Sequence, residues 1–348
     1  MTDSRFRDPQ ELSLDGKTIL ITGGTGSFGR QFCRTVLARH TPRKLIVFSR
    51  DEMKQYEMGL QQPFRDHVEV LRYFIGDVRD VNRMEMALRG VDYVVHAAAL
   101  KQVPAAEYNP FECIQTNVHG AENVVQAAIR TGVKRVVALS TDKAANPINL
   151  YGASKLASDK IFVAAKHLVG TGDPLFSVVR YGNVFLSRGS VVPHFCDLVK
   201  SGATSLPITD TRMTRFWITL PEGVDFVLSC LTQMRGGELF VPKIPSVKIV
   251  DIAKTLAPQL DIHEVGIRPG EKLHESMITE DDARSTIELP DRFIIQSTLY
   301  SEAAQYHPAQ KPVPESFRYS SNSNPEWLDD ASRREVLADL VSSAELSV

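Results

Sequence analysis

Apolar positions in the first half of the chain recur in an alternating rhythm. Lys17 to Ile21 is a short β-branched run, followed by the glycine-rich TGGTGSFG and then by Phe28, Phe32, Val36 and Leu37 at helical spacing. The order is strand, turn, helix. It repeats, with strands expected at Leu45 to Phe48, Val68 to Ile75, Tyr93 to His96, Val136 to Leu139 and Phe176 to Val179. Helices are expected at Met53 to Leu60, Met84 to Leu88, about Phe111 to Ile129, and Tyr151 to His167. Such alternation predicts an α/β fold, a doubly wound parallel sheet of Rossmann type with helices on both faces. Beyond Tyr181 prolines punctuate shorter elements, so the reading is a first unit at 14–182 and a smaller C-terminal domain at 183–298 whose elements interlock with it. The stretch 299–348 reads as peripheral, with one expected helix at Pro325 to Leu340.

Composition narrows the classes without naming one. The chain has 348 residues, of which 43% are hydrophobic and 24% charged, the make-up of an ordinary globular protein. Forty basic and 42 acidic residues leave a net charge of −2, so no global positive field is present to hold nucleic acid. No apolar run approaches the ~20 residues that cross a bilayer, so no membrane partner is expected. The polar start, MTDSRFRDPQELSLDG, lacks the apolar stretch of a secretory signal, and a cytoplasmic location is expected. Cys33, Cys113, Cys196 and Cys230 are scattered without a CxxC pair, so reduced thiols are expected and no metal site.

The first candidate chemistry is the glycine turn. Gly23, Gly26 and Gly29 fall between the first expected strand and helix, where bare backbone can approach a pyrophosphate and a helix N-terminus favours negative charge. Thr25, Ser27 and Phe28 complete that candidate cradle. An Asp or Glu after the second strand would select NAD through its ribose hydroxyl, but this chain has Ser49 and Arg50 there, with Lys54 one turn on. A hydroxyl and two cations suit a 2′-phosphate, so NADP is the expected cofactor. Asp77 and Val78 follow the third strand; Asp77 is read either as an acceptor for the adenine amino group or as a helix N-cap. Ala97, with Ala98 and Ala99, leaves room for a dinucleotide at the sheet edge.

The second candidate site is Tyr151 with Lys155, four residues apart on one helix face. A free tyrosine has a pKa of ~10, and nearby positive charge would favour the phenolate needed for a base. Thr141, Asp142 and Lys143 lie at the C-terminal end of the fifth strand, where open α/β sheets place their ligands. Lys143, buried beside Lys155 and a nicotinamide cation, is expected to have a depressed pKa.

The segments TGGTGSFG, SRDEMKQYEM, HAAALKQVPAAEYNP, LSTDKAANPINLYGASK, RYGNVFLSRGSVVP, TDTRMTRFWIT and RPGEKLHE together resemble the extended short-chain dehydrogenase/reductase superfamily. Within it they are most similar to the soluble, C5-inverting UDP-N-acetylglucosamine 4,6-dehydratases of the pseudaminic acid pathway. Matching stretches run from about Lys17 to Gln296. Thr-Asp-Lys before NPINLYGASK is the narrow signature, because C5-retaining dehydratases carry Thr-Asp-Glu and 4-epimerases lack the acid and base. Gln102, where His is expected, and Phe185-Leu186 depart from the pattern.

The resemblance implies a redox-neutral dehydration of a nucleotide sugar. Tyr151 would deprotonate the 4-OH, Lys143 remove the C5 proton, Asp142 protonate the departing 6-OH, and Thr141 bond the 4-oxygen. It also implies Lys101, Asn183, Val184, Arg188, Arg215, Arg268 and Glu271 as substrate contacts, with Arg268 on the diphosphate, and a homo-oligomer, often hexameric. Two other readings remain open at this stage, a nucleotide-sugar 4-epimerase or reductase and a non-catalytic NADP-binding scaffold.

Overall fold

The computed structural model describes residues 4–8, 10–169, 172–185, 190–297 and 309–344, with side chains described as far as 338. The N-terminal elements alternate as β1 (Thr18–Thr22), α1 (Ser27–Arg39), β2 (Lys44–Ser49), α2 (Glu52–Leu60), β3 (Leu71–Ile75), α3 (Val81–Leu88) and β4 (Tyr93–His96). Next come α4 (Val103–Tyr108), α5 (Pro110–Ile114), α6 (Gly120–Thr131), β5 (Arg135–Thr141), α7 (Leu150–Val169) and β6 (Leu175–Tyr181). The six strands pair in parallel in the order β3-β2-β1-β4-β5-β6. Every residue of β1 and β4 is buried, as expected for strands covered on both faces. The strand order reverses between β1 and β4, which opens a crevice beyond their C-terminal ends.

Two elements differ from expectation for identifiable reasons. The expected strand from Val68 begins only at Leu71, because its partner β2 starts at Lys44 and Leu71 already pairs with Leu45. Just before it, the Val70 carbonyl still accepts from Leu45 N–H at 3.0 Å, but the Val70 N–H turns back onto the His67 carbonyl at 3.1 Å. The expected helix over Phe111 to Ile129 is interrupted by a wide π-helical turn at Gln115–His119. That turn carries Asn117, whose side chain accepts from Leu100 N–H at 2.8 Å, donates to the Leu100 carbonyl at 2.9 Å and donates to Ser154 Oγ at 2.9 Å. Single-turn π-bulges of this kind occur frequently at functional sites.

Beyond β6 the chain builds a second buried cluster around Phe185, Phe195, Leu206, Trp217 and Ile252. It also returns to the first sheet. Leu239–Pro242 adds in parallel to β6, and Arg292–Ile295, Thr286–Glu288 and Lys311–Pro312 extend the edge in antiparallel fashion, giving ten strands.

The C-terminal segment corrects the peripheral reading. Tyr319–Ser320 pairs with Ser276–Ile278, and the buried Tyr319 hydroxyl donates to the Ile244 carbonyl at 3.0 Å while accepting from its N–H at 2.9 Å. Asn324 donates to Ile244 and Ser246, and Arg5 grips Glu326 with both guanidinium nitrogens at 2.7 and 2.9 Å. The helix expected at Pro325 to Leu340 forms later, at Asp330–Ala344.

Candidate active site

A cavity of about 550 Å³ follows the crevice, from the glycine turn past the ends of β2 and β3 to the ends of β5 and β6. Gly23 has φ +65°, and a Cβ there would stand 3.0 Å from the Ala97 carbonyl oxygen and Ala98 backbone. A Cβ on Gly29 would meet the Gly24 backbone at 2.5 Å, so only glycine lets α1 pack this close to the turn. Gly26 is the N-cap of α1 and brings no side-chain cap, which leaves first-turn amides for a ligand. Thr25, Ser27 and Phe28 line the same wall.

At the end of β2, Ser49 is buried and its hydroxyl accepts from Gln55 Nε2 at 2.9 Å. Arg50 is half-exposed and lies 3.5 Å from Asp77, while Lys54 pairs with Asp51 at 2.7 Å. Ser49, Arg50, Asp51, Lys54 and Asp77 line the cavity. Asp77 is not the cap of α3, because Asp80 holds that position and accepts from Arg83 N–H. Asp77 instead takes the Arg79 amide and Nε. Burial raises its pKa, and the two Arg79 bonds outweigh that and hold it below the usual range.

Ala97 and Ala98 are fixed from below. Thr22 Oγ1 accepts both their amides at 3.1 Å, so its proton goes to His96 Nδ1 at 2.9 Å. That bonding pattern assigns His96 as neutral with its proton on Nε2, and burial pushes its pKa down to about 3. Neither Thr22 nor His96 was singled out in the sequence, where Thr22 opens the glycine-rich turn and His96 ends the fourth expected strand.

The catalytic candidates converge at the ends of β5 and α7. Asp142 and Lys143 occupy a single 3-10 turn, Asp142–Ala144, immediately after β5. Thr141 Oγ1 donates to Asp142 Oδ1 at 3.0 Å, and Lys143 Nζ donates to the same oxygen at 3.1 Å. Asp142 Oδ2 is buried without a partner among the described residues. The start of α7 is held by Asn149 Oδ1, which accepts Gly152 N–H at 2.8 Å, and by Glu107, which accepts Leu150 N–H at 2.7 Å. Tyr151, Lys155, Thr141, Asp142 and Lys143 all line the cavity.

The electrostatics depart from expectation at Lys143. Burial by itself lowers its pKa, but the carboxylates of Asp142 and Glu275, at 3.1 and 3.4 Å, outweigh that and raise it. The expected depression is therefore corrected. Missing from the sequence reading was Glu275, a distant acid folded against the amine. Burial pushes Tyr151 up to about 12, with Lys143 and a hydrogen bond to Thr141 drawing it the other way. Lys155, 3% exposed, is lowered by burial against the pull of Asp159.

The substrate candidates divide. Lys101, Asn183 and Val184 line the cavity, and Asn183 Oδ1 is buried without a partner among the described residues. Lys101 is lowered by partial desolvation and then by the Lys143 charge. Arg188 lies outside the described residues. Arg215 is not brought to the cavity wall. It is 5% exposed and donates to the carbonyls of Thr214, Lys272 and Leu273, which binds the RPGEK loop to strand Thr214–Ile218. Glu271 lies 3.6 Å from Arg215, and Arg268 is exposed on the same loop. Lys272 of that loop donates to the Ala145 carbonyl at 2.6 Å, and Asn149 donates to Gly270, so the loop closes over the turn that carries Lys143.

Similarity to known proteins agrees with this geometry. The model of the family described as polysaccharide biosynthesis protein matches residues 19–297. The chain is 53% identical over 340 residues to the UDP-N-acetylglucosamine 4,6-dehydratase (inverting) of Campylobacter jejuni subsp. jejuni serotype O:23/36 (strain 81-176), covering 95% of this chain and 99% of that one. It is 45% identical over 279 residues to a UDP-glucose 4-epimerase of Rickettsia akari (strain Hartford), covering 76% and 79%. Among solved structures, Pen from Bacillus thuringiensis superposes with a TM-score of 0.86 at 35% identity, covering 95% of this chain and 99% of that one. A double mutant of DesIV, a dTDP-glucose 4,6-dehydratase from Streptomyces venezuelae with NAD and DAU bound, superposes with a TM-score of 0.62 at 26% identity, covering 73% and 86%. The chain belongs to the polysaccharide biosynthesis protein family, within the extended short-chain dehydrogenase/reductases and beside the inverting UDP-N-acetylglucosamine 4,6-dehydratases.

Proposed function

We propose that this chain dehydrates UDP-N-acetylglucosamine with inversion at C5 and a bound NADP, giving UDP-2-acetamido-2,6-dideoxy-β-L-arabino-hexos-4-ulose, the first step toward pseudaminic acid. The carrying observation is the Asp142–Lys143 pair, joined at 3.1 Å in the same cavity as Tyr151 and the glycine cradle. A 4-epimerase needs the tyrosine and the cofactor but has no use for an acid and a base, and a buried ion pair costs desolvation to keep. A scaffold would need none of the three.

The residues fit a dinucleotide. Gly23, Gly26 and Gly29 form a cradle that side chains would fill, and no carboxylate ends β2. Asp51, the nearest acid, is engaged through one oxygen with Lys54 N–H and through the other with Lys54 Nζ. Arg50 and Lys54 would hold a 2′-phosphate, Asp77 and Val78 the adenine, and Ala97, Tyr151 and Lys155 the nicotinamide ribose. The first unit, 14–182, then carries the cofactor and 183–298 the nucleotide sugar. When bound, the dinucleotide supplies a hydride acceptor that takes hydrogen from C4 and returns it at C6.

The chain's own groups move the protons. Tyr151 takes the 4-OH proton, and the Lys143 ammonium and a hydrogen bond to Thr141 partly offset the burial that opposes its phenolate. The resulting 4-ketone acidifies C5–H. A single proton shift from Lys143 Nζ to Asp142 Oδ1 makes a neutral amine and a neutral acid together. Lys143 then removes the C5 proton, the C6–O bond breaks, and Asp142 protonates the departing hydroxyl as water. Both groups return to their starting ions. C5 finally regains a solvent-exchangeable proton on the face that inverts it.

Among the described residues no helix is long and apolar enough to cross a membrane; a cytoplasmic homo-oligomer, hexameric by resemblance, is part of this proposal. The test is to incubate the protein with NADP and UDP-N-acetylglucosamine labelled with deuterium at C4, then weigh the product and record its NMR spectrum. Loss of one water, deuterium at C6 and L-arabino coupling constants are expected. A product of unchanged mass points to the epimerase, and deuterium lost from the sugar defeats the internal transfer.

A further inference from the structure

Lys143 stands between two carboxylates, and only one of them belongs to the proposed acid–base pair. The second is Glu275, 2% exposed, with Oε1 3.4 Å from Lys143 Nζ and 3.9 Å from Arg215 Nε. Its Oε2 is buried and lies 3.9 Å from Lys272 Nζ, without a hydrogen-bond partner among the described residues. The backbone of Glu275 is clamped on both sides by the C-terminal segment, since its N–H donates to Ser321 Oγ at 3.0 Å and its carbonyl accepts from Ser321 N–H and Ser320 Oγ. Ser321 Oγ in turn bonds Thr214 Oγ1 at 2.7 Å. A carboxylate this buried and this firmly mounted, aimed at a catalytic amine, is not a surface charge.

We propose that Glu275 is a positioning residue for the dehydration step: it fixes the direction of the Lys143 amine and stabilises the ammonium that forms when Lys143 takes the C5 proton. The proposal rests on the dehydratase reading above. After the proton shift to Asp142, the neutral amine keeps an N–H toward Glu275 Oε1, which leaves its lone pair facing away from that carboxylate. As the C5 proton arrives, positive charge develops on Nζ beside a fixed negative partner in a poorly solvated site, where such pairing is strong. No atom moves onto Glu275, and the proton balance of the cycle is unchanged. Asp142 is thus left to exchange its proton with the leaving hydroxyl.

The charged and titratable groups around the pair are Asp142 and Tyr151 from the β5–α7 side, Arg215 from strand Thr214–Ile218, Lys272 on the loop itself, and Lys101 from the segment after β4. Burial lowers Lys143, and Asp142 and Glu275 raise it. Removing the Glu275 charge therefore moves Lys143 downward, and with it the basic limb of the rate profile, where the pair loses its proton.

The experiment compares wild-type protein, Glu275→Gln and Glu275→Asp, each with NADP and UDP-N-acetylglucosamine. It measures C4 oxidation by cofactor absorbance in a single turnover, deuterium entry at C5 in D₂O, and the pH dependence of turnover. For Glu275→Gln, C4 oxidation should stay close to wild type while C5 exchange falls by at least about tenfold, a small part of what positioned proton transfer contributes. Its basic limb should move to lower pH by roughly one unit, the usual effect of deleting one nearby opposite charge. Glu275→Asp, which keeps the charge on a shorter arm, should hold the limb in place and lose C5 exchange alone. Equal losses in both steps, or an unmoved basic limb with normal exchange in Glu275→Gln, overturns the proposal. Should Glu275→Gln fail to fold, Glu275→Asp decides, and exchange that is normal or falls in step with C4 oxidation overturns it. A wild-type protein that neither oxidises C4 nor exchanges C5 sinks the dehydratase reading and this proposal with it; the variant results sink the proposal alone.

Discussion

Gly152 packs so tightly against the carbonyl of Lys143 that a Cβ at position 152 would overlap that oxygen. The residue after Tyr151 must therefore be glycine for α7 to reach the turn bearing Lys143. Gly152→Ala should displace the helix start and lower stability by about 1–3 kcal/mol, as overpacking does. Dehydration should fall much further than NADP affinity, because the glycine turn at Gly23 to Gly29 is untouched. Calorimetry with cofactor titration checks this, and a variant with wild-type turnover contradicts the fit.

The two steps of the proposed reaction should separate by mutation. Lys143→Ala should still reduce bound cofactor in a single turnover but show no deuterium at C5, with dehydration down by roughly 10²–10⁴. Tyr151→Phe should stop the first oxidation itself. Near-normal dehydration by Lys143→Ala would assign the base elsewhere.

Cofactor choice should depend on Arg50. Its guanidinium is half-exposed at the cavity rim and, among the described residues, is held only by Asp77 at 3.5 Å, so it can turn to a 2′-phosphate. Arg50→Ala should weaken NADP by about 1.5–3 kcal/mol, the value of a hydrogen bond to a charged group, and leave NAD nearly unchanged. Calorimetric titration with both dinucleotides decides, and equal losses refute the assignment.

Far from the active site, Glu238 gives a pH signature of stability. Burial pushes its carboxyl up to about 7, with the Arg235 amide opposing. A carboxyl whose folded pKa lies above its unfolded value of 4.5 contributes fully below that value and loses its contribution as pH rises toward about 7. Glu238 should therefore lower stability by an amount on the order of 3 kcal/mol across that window. Glu238→Gln should remove the slope and be more stable than wild type above neutrality. Urea unfolding of both proteins across the window tests this, and parallel curves would exclude a role for Glu238.

The elements legible in the sequence were those whose cause is local. A buried parallel strand is a run of apolar residues, a helix a 3.6-residue period, and the glycine cradle a triplet within one turn. Tyr151 and Lys155 share a face because four residues make about one helical turn. Every cofactor residue proposed from the sequence, from Gly23 to Lys155, lines one cavity, because a parallel sheet sets the C-terminal ends of its strands side by side. What the tertiary structure decided was distance between segments remote in the chain. Glu275 sat unremarked inside the RPGEKLHE segment, although it helps raise Lys143 against its own burial. Arg215 was read as a substrate cation, but three carbonyls of its surroundings occupy it. The C-terminal segment looked peripheral from its Ser, Pro and Asn content, yet Ser320 and Ser321 mount Glu275 beside the catalytic lysine. Periodicity reports which face a residue occupies; a pKa or a hydrogen bond depends on what the fold brings opposite that face.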